Sequence, residues 1–395
     1  MLDDDLVYPL PRIAPMLPPA RYVGLREEPP RLATLGTSGQ RVWLVSRYDD
    51  VRTVLMSRHM SSDHTNPAYP RLLPVPPIPG IMSFLRMDDP DHGKLRRMIS
   101  PEFSPRRIHE LRPAISATVE GLLDKLESGP RPADLVSAMS LPMPSLVICQ
   151  LLGVPFEDHD FFQRISGDIV SAVGGPERGA AAMEELAEYV DKLVRHKVQN
   201  PTDDLLGRLA REYVNSGRLS HDELVSMARL LIIAGHETVA GAFSLSVFAL
   251  LEHPAQLAEL REDPGLWRSA VDELLRFFTV IQGDGRVATE DVEVGGVRIA
   301  KGDAVMYGAL SANHDERVFP GAGRLDIHRD ARRHFAFGLG VHQCIGQALA
   351  RVELEISLSA LFQRFPALRL AVDPAEVPFR HDMLVYGAYR LPVDW

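Results

Sequence analysis

Along this chain apolar residues recur every three to four positions over long stretches, and strict alternation is confined to short ones. The helical period predicts helices over residues 108–126, 141–152, 181–198 and 267–278, with glycine and proline interruptions at 153–155 and 174–176. The longest run, 221–251, is largely apolar, and Ser220 with Glu223 three residues later forms a capping box at its start. Residues 347–361 read as an amphipathic helix with Leu349, Val352, Ile356, Ser359 and Ala360 near one face. A shorter helix is predicted at 49–56, and another starts with Asp89 as its cap and Pro90 at its first position. Alternating β-formers predict strands at 40–45, 290–299 and 304–310, with Gly295-Gly296 as a hairpin turn. Prolines make the first 30 or so residues an extended lead-in. They also make 61–87 a long irregular loop, whose apolar members mark it as a candidate pocket wall.

Composition adds limits rather than a function. The 395 residues are 45% hydrophobic and 24% charged, which is ordinary for a soluble globular chain with a large core. A formal net charge of -10 argues against a nucleic-acid partner. Two cysteines make no disulfide framework and suit a reducing cytoplasm; Cys149, inside an apolar run, reads as core. The acidic N-terminus lacks the features of a signal peptide, and no run approaches the roughly 20 apolar residues of a membrane span. The expectation is a cytoplasmic protein with no membrane or nucleic-acid partner, and a monomer.

Chemistry enters with the second cysteine. Cys344 lies in a glycine-dense turn that runs into the helix at 347, where free N–H groups and the helix dipole favour a thiolate. A thiolate there is a nucleophile or a metal ligand. A second anomaly is Ala234-Gly235-His236-Glu237-Thr238, a glycine, an acid and a threonine in the middle of an apolar helix. By the residues alone this is either chemistry or a kink with a solvated Glu. His92 and Arg96 share one helix face, as do Glu273 and Arg276; by themselves both pairs are ordinary surface patterns.

The run Phe337-Gly338-Leu339-Gly340-Val341-His342-Gln343-Cys344-Ile345-Gly346 resembles the haem-binding loop of the cytochrome P450 family, F-x-x-G-x-H-x-C-x-G. Residues 234–238 are similar to that family's distal-helix pattern, and Glu273, Arg276 and Arg329 to its E-x-x-R network. The resemblance implies a mainly α fold with small β-sheets, one domain over 1–395, and haem b held between a long distal helix and a proximal loop and helix bearing the cysteine. It implies Cys344 as axial iron ligand, with Phe337, Gly338, Ala234 and Gly346 around the haem. His92, Arg96, Arg286 and His342 would meet its propionates. Thr238 would serve oxygen activation and Glu237 the proton path, while His236 would point away.

The pocket would be lined by Ile81, Met82, Ile233 and Ala234, together with Val280, Ile281, Leu384 and Val385. The implied activity is monooxygenation of a bulky lipophilic molecule with O2. A polyketide or macrolide comes first, and a terpenoid, steroid or xenobiotic stands as the alternative. Electrons would come from ferredoxin and ferredoxin reductase, docking on a basic patch drawn from Arg96, Arg97, Arg106, Arg107, Arg332 and Arg333. A peroxide-dependent enzyme or a non-catalytic helper of the same fold are the readings from other classes; Glu237 with Thr238 argues against the first and Cys344 against the second.

Overall fold

Ser220 accepts from the Glu223 backbone N–H at 3.1 Å while the Glu223 side chain accepts from the Ser220 N–H at 2.7 Å, and this reciprocal cap opens the helix His221–Glu252. In the computed structural model, which describes residues 6–12, 14–72, 84–155, 158–170, 175–381 and 383–395, this helix runs through the core. It packs against Pro142–Leu152, Gly175–Gln199 and Gln347–Arg364. By length and composition it could cross a membrane, contrary to the expectation that no such run exists. However, 78% of its most apolar window is buried inside the fold, so packing on all sides accounts for its hydrophobicity.

Helices dominate and the sheets are small. The largest sheet has six strands in the order Val7–Tyr8, Arg31–Leu35, Arg41–Val45, Ala304–Tyr307, Asp284–Ala288 and Met60–Ser61. Asp284–Ala288 pairs antiparallel with Ala304–Tyr307, placing Arg286 opposite Val305. Residues two apart on a strand share a face, so Asp284 and Arg286 both reach the central cavity. The expected hairpin forms as Val292–Val294 and Val297–Ile299, with Gly295 and Gly296 in the left-handed region that its two-residue turn needs.

Three local expectations are corrected. The lead-in is not wholly extended: between Pro19 and Pro29 the chain is free of proline, and Arg21–Glu27 folds as a helix that buries Tyr22 and Leu25. The helix expected from Pro90 is Asp91–Ile99, one residue later, although the Asp89 side chain still accepts a helix N–H, from Gly93 at 2.9 Å. In Gln347–Arg364 the buried side is centred on Glu353, Leu354, Ser357 and Leu358, whereas Val352, Ile356, Ser359 and Ala360 are half-buried. This helix is enclosed by Pro105–Ser128, Trp267–Phe278 and the central helix, so it has no single apolar stripe.

Candidate active site

Between the central helix and the cysteine loop lies a cavity of about 280 Å³. On one side it is lined by Ala234, Gly235, Thr238 and Ala242, on the other by Phe337, Gly338, Cys344 and Gly346. The loop is tight because Gly338 and Gly340 adopt φ +65° and +76°, and because a Cβ on Gly340 would stand 2.5 Å from the Leu55 carbonyl oxygen. Within it the Cys344 N–H donates to the Phe337 carbonyl at 2.8 Å. Deep as it is in the fold, Cys344 is accessible, because it opens onto the cavity.

The helix dipole alone does not make this sulfur a thiolate. Burial raises the Cys344 thiol above its ordinary value, against the opposing effect of the Gly346 N–H, Arg96 and Arg351. Desolvation at this sulfur therefore opposes the effect of the helix start.

One edge of the cavity is basic. Arg96, Arg286 and His342 line it, and the His92 ring stands 4.2 Å from that of His342. His92 is buried, its Nδ1 is 3.4 Å from Asp89 without an aligned hydrogen bond, and its Nε2 has no partner. Burial, then Arg286, His92 and Arg96, push His342 down to about 3. Asp284 offsets part of this charge, but it sits between two cations, 2.6 Å from Arg86 and 3.6 Å from Arg286. Orphaned ring nitrogens among arginines form a site for anionic groups. A haem, with its carboxylates at this edge, its iron at Cys344 and its ring against apolar walls, fits these residues.

On the central helix, Ala234 and Thr238 are four apart and share the cavity face, and the Thr238 hydroxyl donates to the Ala234 carbonyl at 2.9 Å. Glu237 is one step round the helix and does not line the cavity. It is buried and not solvated: its Oε2 is 2.9 Å from Arg380 Nη1, on the C-terminal segment. The helix is continuous through these residues, with no break at Gly235. His236 turns away from the cavity, its Nε2 2.8 Å from the Leu141 carbonyl oxygen.

Behind the cysteine loop, Glu273 and Arg276 are fully buried and joined by two hydrogen bonds of 2.7 and 2.8 Å. Arg329 adds a third contact to Glu273, at 3.2 Å, and Arg276 also donates to the carbonyls of Asn313 and Ala322. The pattern that reads as a surface pair by itself is an interior network.

The expected pocket wall is met in part. Ala234, Val280 and Ile281 line the cavity. Ile233 lies instead on a separate small cavity with His236 and Glu237, because position 233 falls on the helix face opposite the cysteine loop. Leu384 is exposed, and Val385 pairs with Ile281 through a backbone bridge; neither lines the cavity. Ile81 and Met82 lie outside the described residues. Of the basic patch, Arg96 faces inward, donating to the Gln343 carbonyl. Arg106 and Arg107 share Glu110, and Arg332 pairs with Asp330. Arg97 and Arg333 have no carboxylate partner among the described residues.

Three residues at or beside the cavity carry no motif signal. Thr279, φ +43°, caps the helix Trp267–Phe278 in the left-handed region and turns Val280 and Ile281 toward the cavity. Arg380 is known as the partner of Glu237 only from the fold. Glu353 lines the cavity, buried and without a hydrogen-bond partner at Oε2, and burial raises its carboxyl well above the usual range. Its spacing four residues from both Leu349 and Ser357, on a buried face, is the one sequence hint.

A family model described as Cytochrome P450 matches residues 266–385. Cytochrome P450-SU2 of Streptomyces griseolus is 47% identical over 94% of this chain and 91% of its own length. Pentalenic acid synthase of Streptomyces avermitilis is 45% identical over 99% and 97%. Among solved structures, mycinamicin VIII C21 methyl hydroxylase from Micromonospora griseorubida, bound to mycinamicin VIII, superposes with a TM-score of 0.92 at 42% identity, covering 99% of this chain and 100% of that one.

Proposed function

The chain belongs to the cytochrome P450 family, so it is a haem-dependent monooxygenase, and we propose that it oxidises a bulky lipophilic natural product in late-stage tailoring, with Cys344 as the axial ligand of haem b. The observation that carries the assignment of the ligand is the Cys344 sulfur opening onto a cavity whose opposite wall is Ala234 and Thr238. The only other cysteine, Cys149, is buried in the core away from this cavity, which supports a haem without a cysteine anchor. Bound there, the haem supplies reductive activation of O2.

The residues do the rest. Cys344 would contribute negative charge to the metal, and Arg96, Arg286, His92 and His342 would hold the two carboxylates. Thr238 presents Oγ1 to the cavity, where it holds and passes a proton, and Ala234 leaves room beside it. Glu237 supplies protons from the far side of the helix after leaving Arg380. Phe84, Leu230, Leu231, Val280 and Ile281 exclude water and select an apolar substrate. That lining supports the lipophilic class, and the mycinamicin VIII and pentalenic acid in the relatives' names support natural-product tailoring. For electrons we assign an acidic ferredoxin, reloaded by ferredoxin reductase, meeting Arg97 and Arg333.

The ferrous carbon monoxide spectrum tests the assignment. Purified protein should show the red-shifted Soret band of thiolate-ligated haem, and Cys344→Ala should abolish it; an unchanged band in that variant refutes Cys344 as ligand. Spin-shift titration with polyketides, terpenes and steroids then ranks the substrate classes, and a response to none of them removes the tailoring assignment.

A further inference from the structure

The His236 ring lies between the Leu141 carbonyl and the Glu237 carboxylate. Its Nε2 meets the Leu141 carbonyl at 2.8 Å, so Nε2 carries a proton. Its Nδ1 is 3.3 Å from Glu237 Oε1, a buried oxygen with no hydrogen-bond partner, while the other oxygen of that carboxylate is held by Arg380. Beside this pair is a cavity of about 20 Å³, lined also by Phe162, Ile165, Leu186, Ile232 and Ile233. This exceeds the roughly 10–15 Å³ that one water needs. All five of those walls are apolar, so His236 and Glu237 supply its polar lining.

We propose that His236 is a positioning residue for Glu237, and that its Nδ1 and Glu237 Oε1 together seat one water in this cavity. The histidine holds the carboxylate at its Arg380-bound station, and the water is the group from which Glu237 is reprotonated after it delivers a proton toward Thr238. The proton leaves the water oxygen for Oε1, and the hydroxide left behind takes a proton from solvent, which restores the water. The inference rests on the proposed proton role of Glu237.

The experiment compares His236→Phe, Glu237→Gln and the double variant in the haem-loaded enzyme. The readouts are product formed per O2 consumed and the solvent isotope effect on turnover. His236→Phe should keep the ferrous carbon monoxide band and substrate affinity, lower coupling about tenfold, at or below the low end for a placed proton donor, and raise the isotope effect. The double variant should be no worse than Glu237→Gln. His236→Gln, which keeps an amide donor, should recover part of the coupling. Full coupling in His236→Phe alongside loss in Glu237→Gln overturns the role of His236 and leaves Glu237 standing; full coupling in Glu237→Gln removes the proton reading itself. Should His236→Phe not bind haem, a high-resolution crystal structure of the native holoenzyme decides: a water within hydrogen-bond distance of both atoms supports the proposal, and none overturns it.

Discussion

Asn313 Nδ2 donates to the Thr279 hydroxyl at 2.8 Å. The same side chain accepts the Phe335 N–H on Oδ1 at 2.7 Å, and its backbone carbonyl accepts from Arg276. One buried amide thus ties the turn that aims Val280 and Ile281 to the segment entering the cysteine loop, and both to the Glu273–Arg276 pair. This wall of the cavity and the cysteine loop are fixed relative to each other through this residue.

Asn313→Ala leaves the buried Phe335 N–H without its acceptor, while the Thr279 hydroxyl keeps its bond to the Arg276 carbonyl. The expected loss is about 2–3 kcal/mol in denaturant unfolding, with faster haem release. A variant with wild-type midpoint and haem retention would show that the tie carries no energy.

Arg276→Ala leaves the buried Glu273 carboxylate with Arg329 as its remaining cation, which should destabilise the fold by about 3 kcal/mol. Arg276→Lys should recover little, since an ammonium cannot reproduce the two-pronged contact. Unfolding curves for the pair of variants check both statements.

Thr238→Ala should preserve haem binding and oxygen uptake while product per O2 falls by at least about tenfold. Thr238→Ser, which keeps the hydroxyl, should retain most of the coupling. Equal coupling in Thr238→Ala and wild type would take Thr238 out of proton handling.

His314 is buried with Nδ1 3.0 Å from the Leu310 carbonyl oxygen and Nε2 unpartnered. Burial, and then Arg276, push it down to about 3. Between that value and the ordinary histidine range near 6.5 the unfolded chain binds the extra proton, so stability should fall as pH drops through this window and be complete above it. His314→Gln should make the acid limb shallower by about one proton, read from midpoints against pH.

Glu353 should act with the opposite sign. Burial raises its carboxyl, so the folded state binds the extra proton. Its contribution is present below the ordinary carboxylate range and is lost as pH rises toward the folded value. Glu353→Gln should flatten that component, with little change in stability at low pH; an identical pH slope in the two proteins would show that Glu353 does not hold its proton.

Much of the candidate site is legible in the sequence. The cysteine loop, the Glu273–Arg276 spacing and the Ser220 cap are short-range patterns, and each closes a turn, shares a helix face or satisfies a helix end within a few residues. Ile233 and the buried face of Gln347–Arg364 went the other way. A helix enclosed by several neighbours has no single apolar stripe, so periodicity assigns its faces poorly. Leu384 and Val385 were misplaced for a related reason: an irregular C-terminal segment carries no period to show which side chains turn inward.

By itself the sequence determined the capped start of the central helix at Ser220, the tight glycine turn around Cys344 and the set of basic residues available to an anionic cofactor, because sterics, capping and spacing operate over a few residues. Only the tertiary structure decided that Glu237 turns from the cavity toward Arg380, 143 residues away, that His236 meets Leu141, and that Glu353 is buried without a partner. Those facts depend on desolvation and on partners brought in by distant segments, and no local pattern encodes them.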